Sequence, residues 1–221
     1  MPARLQRDGH AAALRSDMVN TAIASGPLGC IAVTYIEWSS VGQFQTIVPW
    51  VRLCNRGDTE AAASAIEEGA DSGFARPGGG RTSVSFAIDA ASILLDRLPW
   101  STARKIIDIS ANGTNNDGPP VLESRRRALE KGRVINVIAV TRQEPGITSD
   151  LPGYFKREVI GGPGSFVITP NAVTDYAYAI RKKLFIEVGD RADREDLPGD
   201  TKLKSLVAET DGGPTIRSYG L

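Results

Sequence analysis

An apolar run that ends in a cluster of polar residues is the feature of this sequence that most constrains its fold. Residues 105–110, Lys-Ile-Ile-Asp-Ile-Ser, are followed at 111–117 by Ala-Asn-Gly-Thr-Asn-Asn-Asp. The first stretch predicts a buried strand and the second a loop at the edge of a sheet. Ligands of doubly wound α/β folds bind where such loops follow the strands. The loop at 111–117 is therefore our first candidate site.

Strands and helices alternate along most of the chain. The predicted strands cover residues 30–38, 44–53, 104–110, 134–141 and two short pieces within 157–170. The predicted helices cover residues 4–23, 60–70 after a cap at Asp58 or Thr59, 84–98, 121–132 and, after a cap at Asn171, 171–188. This order predicts an α/β fold with a doubly wound, mostly parallel sheet and helices on both faces. Pro49 places its strand at a sheet edge.

The domain is expected to span residues 1–189, with a polar, mobile tail at 190–221. Lys plus Arg and Asp plus Glu are equal at 26 each, so no net field favours nucleic acid or an anionic membrane. No apolar run reaches the ~18 residues of a membrane span. The N-terminus has no apolar signal region, so the chain as written is predicted to be cytoplasmic. Cys30 and Cys54 are expected to be buried thiols. The alternative is a single disulfide bridge, which requires that the two residues lie opposite each other in a hairpin and that the compartment is oxidising.

Few residues offer catalytic chemistry. His10 is the one histidine and has no evident acid or nucleophile partner, so we expect a solvated or structural role. The sequence lacks a phosphate-binding loop and a Cys-x-x-Cys pair. Thr82, at a helix entry after a glycine-rich loop, and Asn112, after a strand, would suit a hard cation such as Mg²⁺. The alternatives are an ordinary helix cap and an ordinary turn.

Six segments resemble, in this order, a bacterial family of unknown function in the von Willebrand factor A-type (vWA) superfamily. They are LQRDGHAAAL, GPLGCIAVTYIEWS, IVPW, GGRTSVSFAID, KIIDISANGTNN and VIGGPGSFV, spread over residues 5 to about 188. The resemblance implies a metal-ion-dependent adhesion site made of three loops. Thr82 matches the second loop, and Asn112 stands where the third loop usually has Asp. The first motif, Asp-x-Ser-x-Ser, does not precede the first helix here.

Two neutral side chains are too few ligands for a dication, so the resemblance implies a degenerate metal site in this chain. Mg²⁺ would be expected only if the missing motif were supplied. The leading hypothesis is a non-enzymatic interaction domain for an unidentified protein partner, with oligomeric state left open. Its interaction edge would comprise Ser110, Asn115, Asn116 and Asp117. The alternative is an enzyme or small-molecule-binding domain that uses Asp108, Asp117 or Ser110 at the same edge.

The resemblance also implies a central strand between those at 30–38 and 104–110, and this sequence does not contain it. The sheet could close up, another chain could donate a strand, or the true start could lie upstream. We favour the last hypothesis, with Asp-x-Ser-x-Ser and a secretion signal encoded in frame before Met1. The protein would then be periplasmic or secreted, and a bridge between Cys30 and Cys54 would be expected.

Overall fold

The computed structural model describes residues 3–69, 81–102, 104–140, 150–170 and 175–189. The predicted tail at 190–221 and the predicted cap at Asn171 lie outside these ranges. The helices are α1 (Ala3–Arg15), α2 (Asp17–Ser25), α3 (Arg56–Glu68), α4 (Val84–Asp96), α5 (Val121–Glu130), α6 (Leu151–Tyr154), a π-helix (Phe155–Val159) and α7 (Tyr176–Val188). The strands are β1 (Ile31–Trp38), β2 (Phe44–Leu53), β3 (Lys105–Ala111), β4 (Arg133–Ala139) and β5 (Val167–Ile168).

The hairpin of β1 and β2 forms a sheet of its own. The two strands are antiparallel and pair from Ile31 with Leu53 to Trp38 with Phe44. Among the described strands β2 pairs with β1 alone, which confirms the edge position predicted from Pro49. Cys30 and Cys54 form a disulfide just beyond the open end of the hairpin, with their Cα atoms 4.2 Å apart. Of the two alternatives left open by the sequence, the structure has the bridge.

A second sheet contains β3, β4 and β5 in parallel, in that order. Lys105 pairs with Arg133, and Val137 pairs with Val167. The mixed α/β class and a parallel sheet are therefore confirmed. The strands do not form one doubly wound sheet: among the described residues no hydrogen-bonded strand joins β1 to β3, at the position where the central strand was expected to be missing.

Side chains of β3 alternate between two packing environments, as the strand period requires. Ile107 and Ile109 are buried in a core with residues of α4, α5 and the π-helix. Ser110 instead contacts the first turn of α7, at Tyr176, and Asp108 contacts the third turn, at Lys183. Helices also bridge the two sheets, since α1 packs on α3 and on α7. The indole N–H of Trp50 in β2 donates to the carbonyl of Leu94 in α4 at 3.1 Å.

Two helix predictions at the N-terminal half were wrong in their boundaries. The helix predicted over 4–23 is broken at Ser16, whose hydroxyl accepts a hydrogen bond from the N–H of Val19 and caps α2. The cap of α3 is Asn55, not Asp58 or Thr59. Asn55 and Asp58 each accept a hydrogen bond from the other's backbone N–H, a reciprocal capping box that satisfies two otherwise unpaired donors.

The segment predicted to be extended from Arg157 is helical at its start. Phe155 and Val159 are both fully buried, and a helical backbone puts residues four apart on one face. The extended part begins later, with a bridge between Gly161 and Ile135 and then β5. Among the described helices, none has the length and apolarity required to cross a membrane.

Candidate functional site

Three loops meet beyond the carboxyl ends of β1 and β3: the turn after β1, residues 81–83, and residues 112–120. The N–H of Ser83 donates to the carbonyl of Ser39 at 2.8 Å. Thr82 and Asn116 are joined twice. The N–H of Thr82 donates to Asn116 Oδ1 at 2.7 Å, and the N–H of Asn116 donates to the Thr82 carbonyl at 2.9 Å. The loops therefore form one hydrogen-bonded surface, which we call the loop edge.

Asn115 fixes the centre of this loop edge. Its Oδ1 accepts from the N–H of Ser85 in the first turn of α4 at 2.9 Å, and its Nδ2 donates to the carbonyl of Pro119 at 3.1 Å. Its backbone N–H donates to the hydroxyl of Tyr154 at 3.1 Å. All of these contacts are within the protein, so the described role of Asn115 is to hold the loop.

The carboxylate of Asp117 holds the turn between β1 and β2. Its Oδ2 accepts from the N–H of Val41 at 3.0 Å, and its Oδ1 lies 3.5 Å from a guanidinium nitrogen of Arg81. The hydrogen bond from Val41 and the charge of Arg81 lower the pKa of Asp117. The group is therefore ionised and already engaged, which is a poor starting point for proton transfer.

Thr82 and Asn112 come to the same edge. Gly113, next to Asn112, approaches Thr82 so closely that a Cβ at Gly113 would lie 3.3 Å from the Thr82 hydroxyl oxygen. These two side chains offer neutral oxygens only. Over the described part of the chain, no three His, Cys, Asp or Glu side chains are grouped closely enough to hold a metal. Within the described residues, Thr82 and Asn112 alone supply fewer oxygen ligands than a divalent cation prefers, and no carboxylate.

Ser110 and Asp108 do not join the loop edge. The hydroxyl of Ser110 lies 2.6 Å from that of Tyr176, at the start of α7. Asp108 forms an ion pair with Lys183, about two turns further along α7. Both side chains thus face α7, on one side of β3, whereas Asn115, Asn116 and Asp117 lie at the end of the strand.

A buried charge cluster surrounds Lys183. Its ammonium, which is fully buried, pairs with Asp108 and lies 2.5 Å from Glu187. Asn136 donates from Nδ2 to Glu187 at 2.7 Å. Burial, with repulsion from Asp108, raises the pKa of Glu187 to about 7. The sequence analysis missed this cluster, although a Lys–Glu pair four residues apart in a mostly apolar helix was a signal for it.

A cavity of about 1490 Å³ separates the two sheets. Two continuous stretches form two of its walls: residues 30–39, which include β1, and residues 104–113, which include β3. His10 lines it from α1, with Nδ1 2.7 Å from the Gln6 carbonyl and its ring edge-on to Tyr35 at 5.2 Å. Burial lowers the pKa of His10, so the ring is neutral near pH 7. These contacts agree with the structural role expected for His10.

Apolar side chains are exposed beside the loop edge. Val41 is 48% exposed in the hairpin turn that Asp117 holds, and Phe44 is 42% exposed at the start of β2. The ring of Phe44 lies 6.0 Å from that of Phe86 in α4. Val41 and Phe44, which we call the apolar patch, are therefore exposed apolar side chains of one hairpin next to polar loops. Sequence reasoning missed it because Val and Phe are among the residues most often buried.

Solved structures with a vWA-like fold are similar to this chain. Proximal thread matrix protein 1 from the mussel byssus has a TM-score of 0.55 and 14% identity over 84% of this chain and 42% of its own. The pilus adhesin SpaC from Lactobacillus rhamnosus GG has a TM-score of 0.58 and 13% identity over 84% and 28%. An aerotolerance-related membrane protein from Bacteroides fragilis has a TM-score of 0.51 and 16% identity over 83% and 89%.

These identities establish similarity of fold alone. The chain spans less than half the length of the mussel and pilus proteins. No curated protein matches it in sequence. A family model does match, over residues 2–192 and thus most of the chain. The chain therefore belongs to the family described as "Protein of unknown function (DUF1194)".

Proposed function

We propose that this protein is a non-enzymatic, vWA-like interaction domain that binds a protein partner through the loop edge without a metal ion. The observation that carries the proposal is the apolar patch of Val41 and Phe44, exposed on the β1–β2 hairpin, whose turn Asp117 ties to the neighbouring loops. Exposed apolar side chains with a polar rim are typical of protein-binding surfaces.

The fixed geometry of the loop edge supports this function. Thr82, Asn115, Asn116 and Asp117 each make a hydrogen bond to another loop or to α4. A surface held in this way loses little conformational freedom when it binds, and less entropy is then lost on association. Ser110 belongs to the interaction edge in sequence only, because its hydroxyl contacts Tyr176. We therefore assign it a supporting role.

The ionisable groups at the site support a non-enzymatic function. Asp117 accepts from Val41 and pairs with Arg81, and Asp108 pairs with buried Lys183. Both carboxylates are thus engaged in ion pairs or hydrogen bonds among the described residues, which is a poor starting point for general acid–base chemistry. A pilus adhesin and a byssal matrix protein are among the proteins of similar fold, which agrees with an interaction function.

Metal independence follows from the donor set. Thr82 and Asn112 supply neutral oxygens, and a dication prefers several oxygen ligands with carboxylates among them. Calorimetric titration of the 221-residue protein with Mg²⁺ and Mn²⁺ should give no heat of binding at millimolar concentration. Submillimolar binding that Thr82→Ala abolishes would contradict a degenerate site.

The apolar patch provides the direct test of the interaction. Extracts of the source organism would be captured on immobilised wild-type protein and on the Val41→Asp/Phe44→Ser variant, and retained proteins would be quantified by mass spectrometry. We expect a protein that the wild type enriches and the variant loses. Ile93→Asp is the matched control, because Ile93 is 49% exposed on α4 and lies outside the loop edge. Equal capture by all three proteins would reject the loop edge as the interface.

The cavity favours a second candidate function, small-molecule binding. His10, Asp108 and Glu187 line its surface together with many apolar groups. A thermal-shift screen of metabolites against wild type and Asp108→Asn would test this function. A ligand whose stabilising effect disappears in the variant would favour it over the interaction domain.

A further inference from the structure

We propose that the Cys30–Cys54 disulfide is a reactive site for thiol–disulfide exchange, at which an incoming thiolate attacks Sγ of Cys54 and Cys30 leaves as a thiolate stabilised by Arg52. Its co-reactant is a dithiol, which supplies the two electrons that reduction of a disulfide requires. The bridge lies at the open end of the β1–β2 hairpin, and the apolar patch lies at the other end. The inference is therefore independent of the proposed interaction function.

The guanidinium of Arg52 contacts one of the two sulfur atoms. Its Nη2 donates to Sγ of Cys30 over 3.5 Å, from the strand that pairs with β1. Arg52 forms no ion pair with a carboxylate of the described chain, so its positive charge is not neutralised there. The intact disulfide offers this charge only a weak sulfur acceptor, whereas a thiolate at Cys30 would offer a full negative charge. Arg52 therefore stabilises the product of bond cleavage more than the bridge itself.

Cys54 has a different electrostatic environment. It precedes Asn55, the cap of α3, and its N–H donates to Oδ2 of Asp58 over 2.8 Å. The positive end of a helix can stabilise a thiolate, but Asp58 already places a negative charge there. A thiolate at Cys54 would be repelled by that carboxylate. Cys30 is therefore the better leaving group, and the nucleophile attacks the other sulfur, that of Cys54.

The surroundings of the bridge are open enough for the reaction. Cys30 and Cys54 are both half-buried, so a small thiol can approach them. Cys30 and Arg52 also line the cavity between the two sheets, which gives the Cys30 sulfur space to move away as the bond breaks. Reactive cysteines are typically partly exposed and close to a positive charge, whereas inert ones are buried. The Cys30–Cys54 bridge has the first kind of environment.

The exchange takes place in two balanced steps. A thiolate of the dithiol forms a bond to Sγ of Cys54 while the bond between the two protein sulfurs breaks, and the electron pair of that bond stays on Cys30. The second thiol of the reagent loses its proton to water and attacks the reagent's first sulfur, which releases Cys54 to take up a proton. The dithiol is thereby oxidised to a disulfide, and the bridge is reduced to a thiolate at Cys30 and a thiol at Cys54.

The first experiment measures the thiolate at Cys30 directly. In the Cys54→Ser variant, the rate at which iodoacetamide alkylates Cys30 is followed against pH, with and without Arg52→Gln. We expect the midpoint of this profile to lie about one pH unit lower when Arg52 is present. Arg52→Lys keeps the charge and should keep part of the shift. Arg56→Gln is the matched control, because Arg56 is an exposed arginine that pairs with Asp17, and it should leave the midpoint unchanged.

The same profiles recorded in concentrated urea show whether the folded contact is responsible. Unfolding separates Arg52 from Cys30, so the difference between the proteins with and without Arg52→Gln should disappear there. Equal midpoints in native buffer would overturn the proposal. A difference that persists in urea would also reject it, because the effect would then come from the sequence around Cys30 and not from the hairpin.

The second experiment locates the attack in the intact, oxidised protein of 221 residues. Glutathione forms the mixed disulfide at mildly alkaline pH, N-ethylmaleimide blocks the freed thiol, and peptide mass spectrometry locates both groups. We expect glutathione on Cys54 and maleimide on Cys30. Reduction by dithiothreitol should be about threefold slower in Arg52→Gln, because the leaving thiolate is less stable. Glutathione mainly on Cys30, or a bridge that dithiothreitol reduces only after unfolding in urea, would contradict the proposed site.

Discussion

The side-chain carbonyl of Asn115 accepts a hydrogen bond from the backbone N–H of Ser85 over 2.9 Å, and so joins the loop after β3 to the first turn of α4. Asn115→Ala should lower the free energy of unfolding by about 1–2 kcal/mol, because it leaves a partly buried N–H without its acceptor. Urea denaturation measures the change. Asn112→Ala, in the same loop, is the control and should cost under about 0.5 kcal/mol. Equal costs would mean that Asn115 has no special role.

Glu187 should make stability fall as pH rises. Its pKa is raised from 4.5 to about 7, so the folded protein holds a proton that the unfolded chain releases between those values. The folded state is then favoured at low pH, and up to about 3 kcal/mol is lost on going from pH 4.5 to above 7. His10, whose pKa is lowered from 6.5 by burial, contributes in the opposite direction, since its contribution to stability is lost as pH falls below 6.5.

The contribution of Glu187 is isolated by comparing wild type with Glu187→Gln. The glutamine keeps an oxygen for Asn136 and Lys183 but does not titrate. We expect the variant's stability, relative to wild type, to increase between pH 5 and pH 8 in chemical denaturation. A constant difference over this range would show that Glu187 titrates normally.

Reduction of the Cys30–Cys54 bridge should destabilise the protein. The two residues are 24 positions apart, and a loop of that size corresponds to about 3 kcal/mol in the chain-entropy model. Thermal unfolding with and without reductant would show a lower Tm in the reduced form, with intact mass confirming the gain of two hydrogens. The double variant Cys30→Ser/Cys54→Ser should unfold at the reduced temperature and be insensitive to reductant.

Gly9→Ala should destabilise the protein, although alanine normally favours a helix. A Cβ at Gly9 would lie 2.8 Å from a ring carbon of Tyr176, which is fully buried and bonded to Ser110. Overpacking of this kind costs about 1–3 kcal/mol, more than the gain of about 1 kcal/mol in helix propensity. In a Tyr176→Leu background the cost of Gly9→Ala should shrink, which a double-mutant cycle would measure.

Strong local patterns allowed much of the fold to be predicted from sequence. The nearly continuous apolar run of β4 and the β-branched residues of β1 and β2 predicted strands, and Pro49 predicted an edge. The residue that caps the N-terminus of each helix was harder to predict. Asn55 and Ser16 both accept hydrogen bonds from helix N–H groups, and only the folded backbone shows which polar residue starts the helix.

The candidate site was predicted in position but not in the contacts that its residues make. The polar loop after β3 does lie at the sheet edge, beside Thr82. Its side chains bond to distant segments such as Val41 and Ser85, and no spacing along the chain indicates those partners. The Lys183 cluster was missed for the same reason, since it depends on β3, β4 and α7, which are far apart in sequence.

The Cys30–Cys54 bridge has a consequence for the unfolded state. It closes the open end of the β1–β2 hairpin, so a denatured oxidised chain still keeps these segments near each other. Such a chain is more compact and exposes less new surface than a reduced one. The slope of unfolding free energy against denaturant concentration should therefore be smaller for the oxidised protein. In the denatured ensemble, the bridged hairpin is then the segment with the shortest conformational search when refolding begins.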